Sequence, residues 1–391
     1  MGKNIFEFIE KEETVSLLQN MIRFNTVNEP GNEKPLAEFI SEIFNSLEIE
    51  NCVDDLGNNR ANVIAKIRGR GERSSLLLNG HLDTVPIGDV NWDYGAFSGE
   101  ILNERIYGRG SADMKGGLAA MIIAFNAAKK AGLDLKGDLV FSATAGEEVD
   151  SIGAIKFVED GNLDDLGAII IGEPTSNEIK VAEKGALWIE ITNYGKTAHG
   201  AFPEEGVNAI VHMNHLLNKI SNYKLIDTKN DLLTPPTLNI STIKGGIKTN
   251  VVPDKCSMTL DIRTAPGMDH KKIIEDFKEM IDELSFELDN FSADVKIINN
   301  RPAVETNLEN EFVKLAYKTN IDILGNDKSP GGVNFYTDAS IFLPAREDIP
   351  CVIYGPGDSV MAHQPNEFIT IESLMDAVKF YCGIIENYLL L

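Results

Sequence analysis

The order of apolar and amphipathic segments restricts the fold of this 391-residue chain more than any other feature of its sequence. In the first half, helical patterns such as Pro35–Leu47 alternate with short apolar runs such as Ser75–Leu78 and Ala168–Ile171. Runs that can be buried on both faces are typical of inner strands in a sheet covered by helices. We therefore predict an α/β fold with a mixed sheet in an α/β/α arrangement.

A different order of elements begins near Glu183. The pattern predicts a strand, a helix, two strands, a helix and a strand, over Gly185–Tyr194, Val207–Ile220, Thr237–Ile243, Cys256–Thr264, Asp269–Leu284 and Ala293–Ile298. This is the order of a ferredoxin-like α+β domain. After Asn299 the earlier style returns, so we predict that residues 183–298 are inserted into a larger domain made of residues 1–182 and 299–391.

The charge of the chain excludes several classes of partner. Lys and Arg number 36 against 60 Asp and Glu, which gives a formal net charge of −24. So acidic a surface repels nucleic acids and anionic membranes, and we expect neither as a partner. The four cysteines have no paired spacing, and acidic residues interrupt the apolar residues near the amino terminus. We therefore expect a reducing, cytoplasmic location.

Five polar clusters each follow an apolar run, which is where ligands usually bind in open α/β sheets. In the first cluster, strand alternation would put His81 and Asp83 on the same side, where the carboxylate can orient a metal-bound imidazole. A structural His–Asp pair is the alternative that this segment leaves open. The other clusters contain Asp113, Glu147 with Glu148, Glu173, and His363.

The segment Tyr107–Gly117 is a glycine-rich loop that enters a helix of small residues. Such a loop can hold a phosphate, but the spacing matches neither a dinucleotide-binding fingerprint nor a phosphate-binding loop. Asp113 could instead cap the helix. The adjacent carboxylates Glu147 and Glu148 diverge, so one can bind a metal while the other transfers protons. An exposed acidic turn is the alternative for that pair.

Taken together, the clusters supply two histidines and three carboxylates for two divalent ions, with one carboxylate bridging and Glu147 left as the base. Mixed imidazole and carboxylate ligation suits zinc, with cobalt or manganese as substitutes. A water held between two such ions is acidified toward neutrality, and an ion can polarise a carbonyl oxygen. The clusters therefore indicate a metal-dependent hydrolase.

Five motifs, GHLDTVP, YGRGSADMKGGLAA, TAGEE, GEPT and MAHQPNEFI, occur in this order. They resemble the metallopeptidase family that contains acetylornithine deacetylase, succinyl-diaminopimelate desuccinylase, aminoacylase and a glutamate carboxypeptidase. The likeness extends over essentially the whole chain and implies a catalytic domain with an inserted dimerisation (lid) domain. It implies one metal bound by His81 and Glu173, a second bound by Glu148 and His363, and Asp113 as the bridge. It also implies that Asp83 orients His81 and that Glu147 is the general acid/base.

The predicted insertion contains further matching segments. KTAHG resembles the family segment whose histidine reaches the partner subunit's active site, which implies that His199 stabilises an oxyanion and that the protein is a homodimer. A surface loop residue is the alternative for His199. Asn250 and Arg263 match positions that bind the substrate carboxylate in the family, so the resemblance implies the same role here; arginine recognises carboxylates well. The remaining histidines match no motif, and we expect them at the surface or an interface: His212, His215 and His270.

The segment GGVNFYTDA resembles the family's glycine-rich substrate loop, which implies that Tyr336 and Thr337 bind substrate. Tyr336 stands where desuccinylases of the proteobacterial type carry a glycine, and its ring would narrow or reshape the pocket. The TDAS ending and the run GPGDSVMAHQ are more similar to the branch labelled acetylornithine deacetylase or succinyl-diaminopimelate desuccinylase in Gram-positive bacteria.

The resemblance implies that the protein cleaves the amide bond of a small, carboxylate-bearing N-acyl amino acid, as in amino-acid biosynthesis. A dipeptidase or carboxypeptidase of the same family is the alternative. A non-catalytic metal-binding protein would be favoured had any of the five ligands or Glu147 been replaced, and all six are present. A nucleotide-dependent enzyme using the glycine-rich loop would not need histidines at the sheet edge.

Overall fold

The computed structural model describes residues 4–226 and 228–390, which form two compact units. The first unit contains the residues up to Ala182, then Glu305–Val333, and the residues from Thr337 onward. The second contains Glu183–Val304 and Asn334–Tyr336. It extends past residue 298 because its last long strand continues to Arg301.

The secondary structure of the described residues follows the chain in this order. The α-helices are α1 (Lys11–Arg23), α2 (Lys34–Ser46), α3 (Lys115–Ala131), α4 (Ile152–Glu159), α5 (Ala209–Ser221), α6 (His270–Glu287), α7 (Glu311–Leu324), α8 (Ala339–Ala345) and α9 (Ile371–Leu389). The first ten strands are β1 (Glu50–Gly57), β2 (Arg60–Ile67), β3 (Ser75–His81), β4 (Glu100–Leu102), β5 (Arg105–Tyr107), β6 (Leu139–Thr144), β7 (Leu166–Ile171), β8 (Lys180–Glu183), β9 (Gly185–Tyr194) and β10 (Thr237–Gly245). The others are β11 (Lys255–Thr264), β12 (Ser292–Arg301), β13 (Val304–Glu305), β14 (Gly331–Val333), β15 (Cys351–Ile353) and β16 (Phe368–Thr370).

A mixed sheet dominates the first unit. Its strand order is β1-β2-β6-β3-β7-β15-β8-β13, with β14 paired to β8. Strands β6, β3, β7 and β15 run parallel to one another. The pairs β1–β2, β2–β6 and β15–β8 are antiparallel. Every residue of β3 and β6 is buried, which explains why their sequences read as continuous apolar runs. The predicted α/β fold class is confirmed.

Helix α3 is buried along nearly its whole length because small residues let it approach the sheet closely. Gly117 shows the requirement most clearly, since a Cβ at this position would collide with the carbonyl oxygen of Gly172. That contact fixes the start of α3 against the end of β7. Two predicted metal ligands lie next to this contact: Asp113 just before α3 and Glu173 just after β7.

The second unit has a four-stranded antiparallel sheet in the order β10-β11-β9-β12. With α5 and α6 this is the predicted ferredoxin-like order, and the unit has its own apolar core, which includes Ile189, Leu260 and Phe277. The expectation for His270 was wrong. His270 is buried, and its imidazole hydrogen-bonds the hydroxyl of Thr264 at 2.8 Å and the amide oxygen of Asn300 at 2.6 Å. Such a network pins the first turn of α6 to the sheet.

Among the residues that the structure describes, no helix combines the length and apolar character needed to cross a membrane.

Candidate metal centre

The predicted metal ligands meet at one edge of the mixed sheet. His81 is the last residue of β3, Glu148 follows β6, and Glu173 follows β7. Because these three strands are parallel neighbours, their carboxyl ends lie side by side. Asp113 arrives from the loop before α3, and His363 from the segment between β15 and β16. Met114 occupies the N-cap position of α3, so Asp113 is not the helix cap.

The two oxygens of Asp113 face different imidazoles. Oδ1 lies 3.1 Å from Nε2 of His81, and Oδ2 lies 3.3 Å from Nε2 of His363. Each imidazole also has a second carboxylate nearby. Glu173 Oε1 is 3.5 Å from His81 Nε2, and Glu148 Oε1 is 3.3 Å from His363 Nε2. The result is two donor sets that share Asp113.

Asp83 contacts the imidazole of His81 through both its backbone and its side chain. Nδ1 of His81 lies 3.0 Å from the backbone carbonyl oxygen of Asp83 but 3.6 Å from its carboxylate. The carboxylate also accepts hydrogen bonds from the backbone N–H groups of the turn Gly146–Glu148, and from the side-chain amide of Asn28 at 3.0 Å. The carbonyl therefore makes the closer contact with the ring, while the carboxylate organises the next loop.

Gly146 has a backbone conformation and a neighbour that both require glycine. Its φ is +83°, and a Cβ would collide with the guanidinium of Arg60. Arg60 in turn contacts Glu33 at 3.3 Å and Asp150 at 2.8 Å. Asp83 thus holds the turn that carries Glu147 directly, and Arg60 supports it through Asp150, whose backbone N–H donates to the carbonyl of Gly146 at 2.9 Å.

The cluster has more negative charge than its buried surroundings tolerate. Burial, reinforced by the neighbouring carboxylates, raises the pKa of Glu147 and Glu173 well above the ordinary range. Asp113 and Glu148 raise the pKa of His363 to about 10. Burial opposes protonation of His81, yet the charge of Glu173 and the hydrogen bond to Asp113 raise its pKa as well. All four shifts favour added positive charge, which divalent cations would supply in place of protons.

The donor spacing also fits zinc. Ligands at zinc's usual bond lengths of about 2.0–2.2 Å are about 3.3–3.6 Å apart around a tetrahedral ion. The four donor separations measured here, from 3.1 to 3.5 Å, lie close to that range. Imidazole and carboxylate donors are the types that zinc accepts, so the residues present fit a pair of such ions.

Glu147 lies close enough to His81 and Glu173 to act either as a proton acceptor or as a metal ligand. One set of donor atoms within 4.8 Å of one another consists of His81, Glu147 and Glu173, and a second consists of His81, Asp113 and Glu148. Only 6% of Glu147 is exposed. Its carboxylate can therefore act as a proton acceptor beside the cluster or as a further ligand.

The second unit brings His199 and Asn250 together. The backbone N–H of Gly200 donates to the carbonyl of Asn250 at 2.9 Å, and His199 forms an isolated bridge with Val251. Nδ1 of His199 accepts from the N–H of Ala201 at 3.1 Å. His199 and Asn250 are both exposed.

Arg263 is held on the second unit by a carboxylate two residues earlier. Its Nε lies 2.9 Å from Oδ1 of Asp261, and Nη2 donates to Oδ2 at 3.2 Å. The indole N–H of Trp188 also donates to Asp261, at 2.8 Å. The guanidinium lies 5.8 Å and 6.0 Å from the ring centres of Trp188 and Tyr336. Arg263 and Tyr336, predicted separately, thus share one cluster.

Thr337, by contrast, is completely buried in the first unit. Its hydroxyl accepts from the N–H of Ala339 at 3.1 Å, and its carbonyl accepts from the hydroxyl of Ser340 at 2.7 Å. These contacts organise the start of α8. The next residue, Asp338, accepts a hydrogen bond from Thr144 at 2.5 Å at the end of β6.

Three buried charged residues near the cluster were given no role in the sequence-based predictions: Arg109, Glu367 and Lys115. Arg109 and Glu367 form an ion pair at 2.7 Å and are 2% and 0% exposed. Arg109 and Glu367 belong to the motifs YGRGSADMKGGLAA and MAHQPNEFI, which also contain the predicted ligands Asp113 and His363. A charged residue inside a ligand-bearing motif was the only sequence feature that could have indicated their role. Lys115 is also fully buried and donates to the carbonyls of Met21 and Phe24 at the end of α1.

Comparisons with known proteins find relatives of this chain over most of its length. Residues 77–387 match the Peptidase family M20/M25/M40. A protein of Staphylococcus epidermidis named "Probable succinyl-diaminopimelate desuccinylase" is 28% identical, over 97% of this chain and 99% of its own. An acetylornithine deacetylase of Myxococcus xanthus is 32% identical, over 86% of this chain and 88% of its own. The crystal structure of an M20 family metallo-carboxypeptidase of Sulfolobus solfataricus has the same fold, with a TM-score of 0.82 at 20% identity over 97% of this chain and 100% of the other.

Proposed function

Because this chain belongs to the peptidase family M20/M25/M40 and is thus a hydrolase of amide bonds, we propose that it removes the acyl group from an N-acyl amino acid. The observation that carries the proposal is Asp113, whose two oxygens lie 3.1 Å and 3.3 Å from two different imidazoles. One carboxylate shared between two histidine-containing donor sets is suited to a pair of metal ions acting on one substrate.

In this proposal the two metal ions are zinc, with cobalt or manganese as possible substitutes. His81 and Glu173 would hold one ion, Glu148 and His363 the other, and Asp113 both. When bound, the ions supply the positive charge that acidifies water and polarises the substrate carbonyl. The raised pKa values of His81, Glu147, Glu173 and His363 support a site that attracts cations.

Glu147 is the proposed general acid/base. Its carboxylate accepts a proton from water as the oxygen bonds to the amide carbon, and returns it to the nitrogen as the carbon–nitrogen bond breaks. One water is consumed, and a carboxylate and an amine are formed. Burial raises the pKa of Glu147 in the metal-free protein, so its carboxylate binds a proton more readily than an exposed one does. Asp83 keeps Glu147 in position through the Gly146–Glu148 turn.

We propose that the active protein is a homodimer in which His199 completes the partner's site and helps to stabilise the oxyanion. His199 is exposed, and the same unit has large apolar side chains open to solvent, among them Ile243 at 54% and Ile247 at 84%. Such apolar exposure supports contact with a second copy. Sedimentation analysis should give twice the 42.9 kDa chain mass, and a monomer that is fully active would contradict this part.

A mixing experiment tests the shared site directly. A Glu147→Gln chain and a His199→Ala chain would each be nearly inactive alone. If His199 acts on the partner subunit, mixed dimers contain one site with an intact Glu147 and an intact His199, so mixing restores activity. If His199 acts within its own chain, mixing restores nothing.

Arg263 and Asn250 are the proposed ligands of the substrate carboxylate. Asp261 and Trp188 fix one edge of the Arg263 side chain, which supports a preset orientation of the guanidinium for a charged substrate group. Tyr336 lies in the same cluster, so its ring would shape that pocket. Thr337 has a weaker case, because its hydroxyl already contacts the start of α8.

The names of the relatives favour a deacylase over a peptidase. Proteins named desuccinylase and deacetylase are 28% and 32% identical over most of both chains, whereas the carboxypeptidase, at 20%, shares the fold. We propose that the protein works in the cytoplasm, which the four free cysteines support.

The deciding experiment is a substrate panel with zinc- or cobalt-loaded protein. It compares N-succinyl-diaminopimelate, N-acetylornithine, other N-acyl amino acids and dipeptides, with chelator-treated protein and Glu147→Gln as controls. One preferred N-acyl amino acid whose hydrolysis stops with chelator supports the proposal. Preference for dipeptides would replace it with a peptidase function, and hydrolysis that survives the chelator would contradict the metal-dependent reaction.

A further inference from the structure

We propose that Arg109 and Glu367 are positioning residues that hold Asp113 and His363 in ligand geometry before any metal binds. The inference rests on the proposed function, because it takes Asp113 and His363 as metal ligands. It adds a role for two buried charges that lie outside the donor sets.

Glu367 fixes the loop that carries Asp113. One carboxylate oxygen accepts from the N–H of Ala112 at 2.8 Å and of Asp113 itself at 3.0 Å. The other accepts from the N–H of Gly110 at 3.2 Å and from Nη1 of Arg109 at 2.7 Å. Three backbone N–H groups converging on one carboxylate leave this loop little freedom. Asp113 thus has a fixed backbone position.

Arg109 connects the loop of Asp113 to two further segments, one after Asp83 and one that contains His363. Its Nη2 lies 3.3 Å from the carbonyl oxygen of His363 and 3.3 Å from that of Pro86, three residues after Asp83. Its Nη1 also donates to the carbonyl of Gln364 at 3.3 Å. Arg109 itself lies in the segment before Asp113. Its guanidinium therefore ties that segment to the one after His81 and to the one that contains His363.

The ion pair of Arg109 and Glu367 is shielded from solvent. The ring of Trp92 lies 5.1 Å from the guanidinium carbon, and the side chains of both partners are essentially inaccessible. A buried ion pair is seldom the most stable choice for filling space, since apolar residues of similar volume often do as well. Here the charges have another use, because they satisfy backbone groups that define where two ligands sit.

Zinc affinity is the measurement that separates positioning from simple stabilisation. Arg109→Lys and Glu367→Gln keep the size and much of the polarity of the native residues. Matched controls are Arg105→Lys, an exposed arginine four residues away, and Glu372→Gln, an exposed glutamate in the first turn of α9. Metal-free protein is titrated with Zn²⁺ against a chromophoric chelator, and the Co²⁺-loaded form is followed by its absorption spectrum.

We expect Arg109→Lys and Glu367→Gln to bind at least one Zn²⁺ about 10- to 100-fold more weakly, the loss typical when a group supporting a metal ligand is changed. The Co²⁺ spectrum should change with them, and both controls should match the unaltered protein. Folded variants with native zinc affinity and a native Co²⁺ spectrum would overturn the proposal. A fall in thermal stability alone, with zinc binding intact, would also overturn it.

Hydrogen–deuterium exchange on the metal-free, unaltered protein tests the same inference without a variant. If Glu367 holds the loop in advance, the backbone N–H groups of Gly110, Ala112 and Asp113 are protected before zinc is added. Exchange at the rate of an open loop, slowed only by zinc, would overturn it. An unaltered protein that binds no Zn²⁺ would instead refute the proposed function, and the exchange result would still report on the pair.

Discussion

The carboxylate of Asp83 accepts a hydrogen bond from the backbone N–H of Glu147 over 3.1 Å. The same carboxylate accepts from the N–H of Gly146 at 2.9 Å and of Glu148 at 3.2 Å. A residue just past the end of one strand thus determines the conformation of the turn after the neighbouring strand. The two adjacent carboxylates of that turn join different donor sets, Glu147 with Glu173 and Glu148 with Asp113.

Replacing Asp83 by Asn should lower kcat while leaving the protein folded. An amide has one acceptor oxygen and turns its N–H₂ group toward backbone donors, so part of the turn is left unsatisfied at a cost of about 1–3 kcal/mol. We expect kcat to fall at least tenfold because Glu147 moves, with a smaller change in KM. Asp89→Asn, in the exposed loop that follows, is the matched control. Unchanged kcat in Asp83→Asn would show that the turn does not depend on this carboxylate.

Glu147→Gln should separate proton transfer from metal binding. As the general acid/base, Glu147 can be changed with both zinc ions retained, while kcat falls by about 10²- to 10⁴-fold. Zinc content by elemental analysis, measured with kcat on the same sample, gives the answer. Glu148→Gln is the comparison, and we expect it to lose zinc. Loss of one zinc from Glu147→Gln would instead identify this residue as a ligand in the set with His81 and Glu173.

Glu33 should make the metal-free protein less stable as the pH rises. Burial, and then the charge of Asp83, raise its pKa from 4.5 to about 7. Between those values the folded protein holds a proton that the unfolded chain has released, so the free energy of unfolding falls with increasing pH. Glu33→Gln does not titrate, and it leaves the contact of Arg60 with Asp150 intact. Relative to the unaltered protein, we expect it to gain about 1–3 kcal/mol on going from pH 5 to pH 8.

Urea unfolding of both proteins at the two pH values checks this expectation. Glu38→Gln, an exposed residue of α2, serves as the control and should show no such difference. A difference between Glu33→Gln and the unaltered protein that is the same at both pH values would mean that Glu33 ionises normally.

Arg263→Ala should raise KM only for substrates that carry a free carboxylate. A hydrogen bond to a charged group contributes about 1.5–3 kcal/mol, so KM should increase at least tenfold, with kcat changed much less. The carboxamide analogue of the same substrate should be hydrolysed equally by both proteins. Asp261→Asn should have a smaller effect of the same kind, because it loosens the arginine without removing it. Lys255→Ala, an exposed residue of the same strand, is the control.

The fold and the edge at which the site lies were predictable because both follow from local patterns. Apolar runs revealed the buried strands, and the polar residues directly after them marked the end of the sheet where ligands meet. Strand β1 was missed because its alternating, partly acidic sequence has no continuous apolar run. His270 was missed because a lone histidine in a helical pattern does not reveal its partners across the sheet.

Contacts between distant side chains were not predictable in the same way. Arg109 and Glu367 are separated by 258 positions, and only the folded chain shows that they pair. The contacts of Asp83 illustrate a finer limit. The spacing of His81 and Asp83 predicts their proximity, but the hydrogen bonds of the Asp83 carboxylate to the turn at Gly146 come from a separate strand and are seen only in the folded chain.

Strands β8 and β13, between which the chain forms all of the second unit except Asn334–Tyr336, are neighbours in the mixed sheet. Neighbouring strands lie only about 5 Å apart, so the host sheet closes whether a short turn or a complete folded module connects them. A long flexible excursion between the two strands would lose chain entropy on closure, but a module with its own core and adjoining ends adds little of that penalty. The gene for such a protein could therefore gain, lose or exchange this segment in a single recombination event while the hydrogen-bonded framework around it stayed the same.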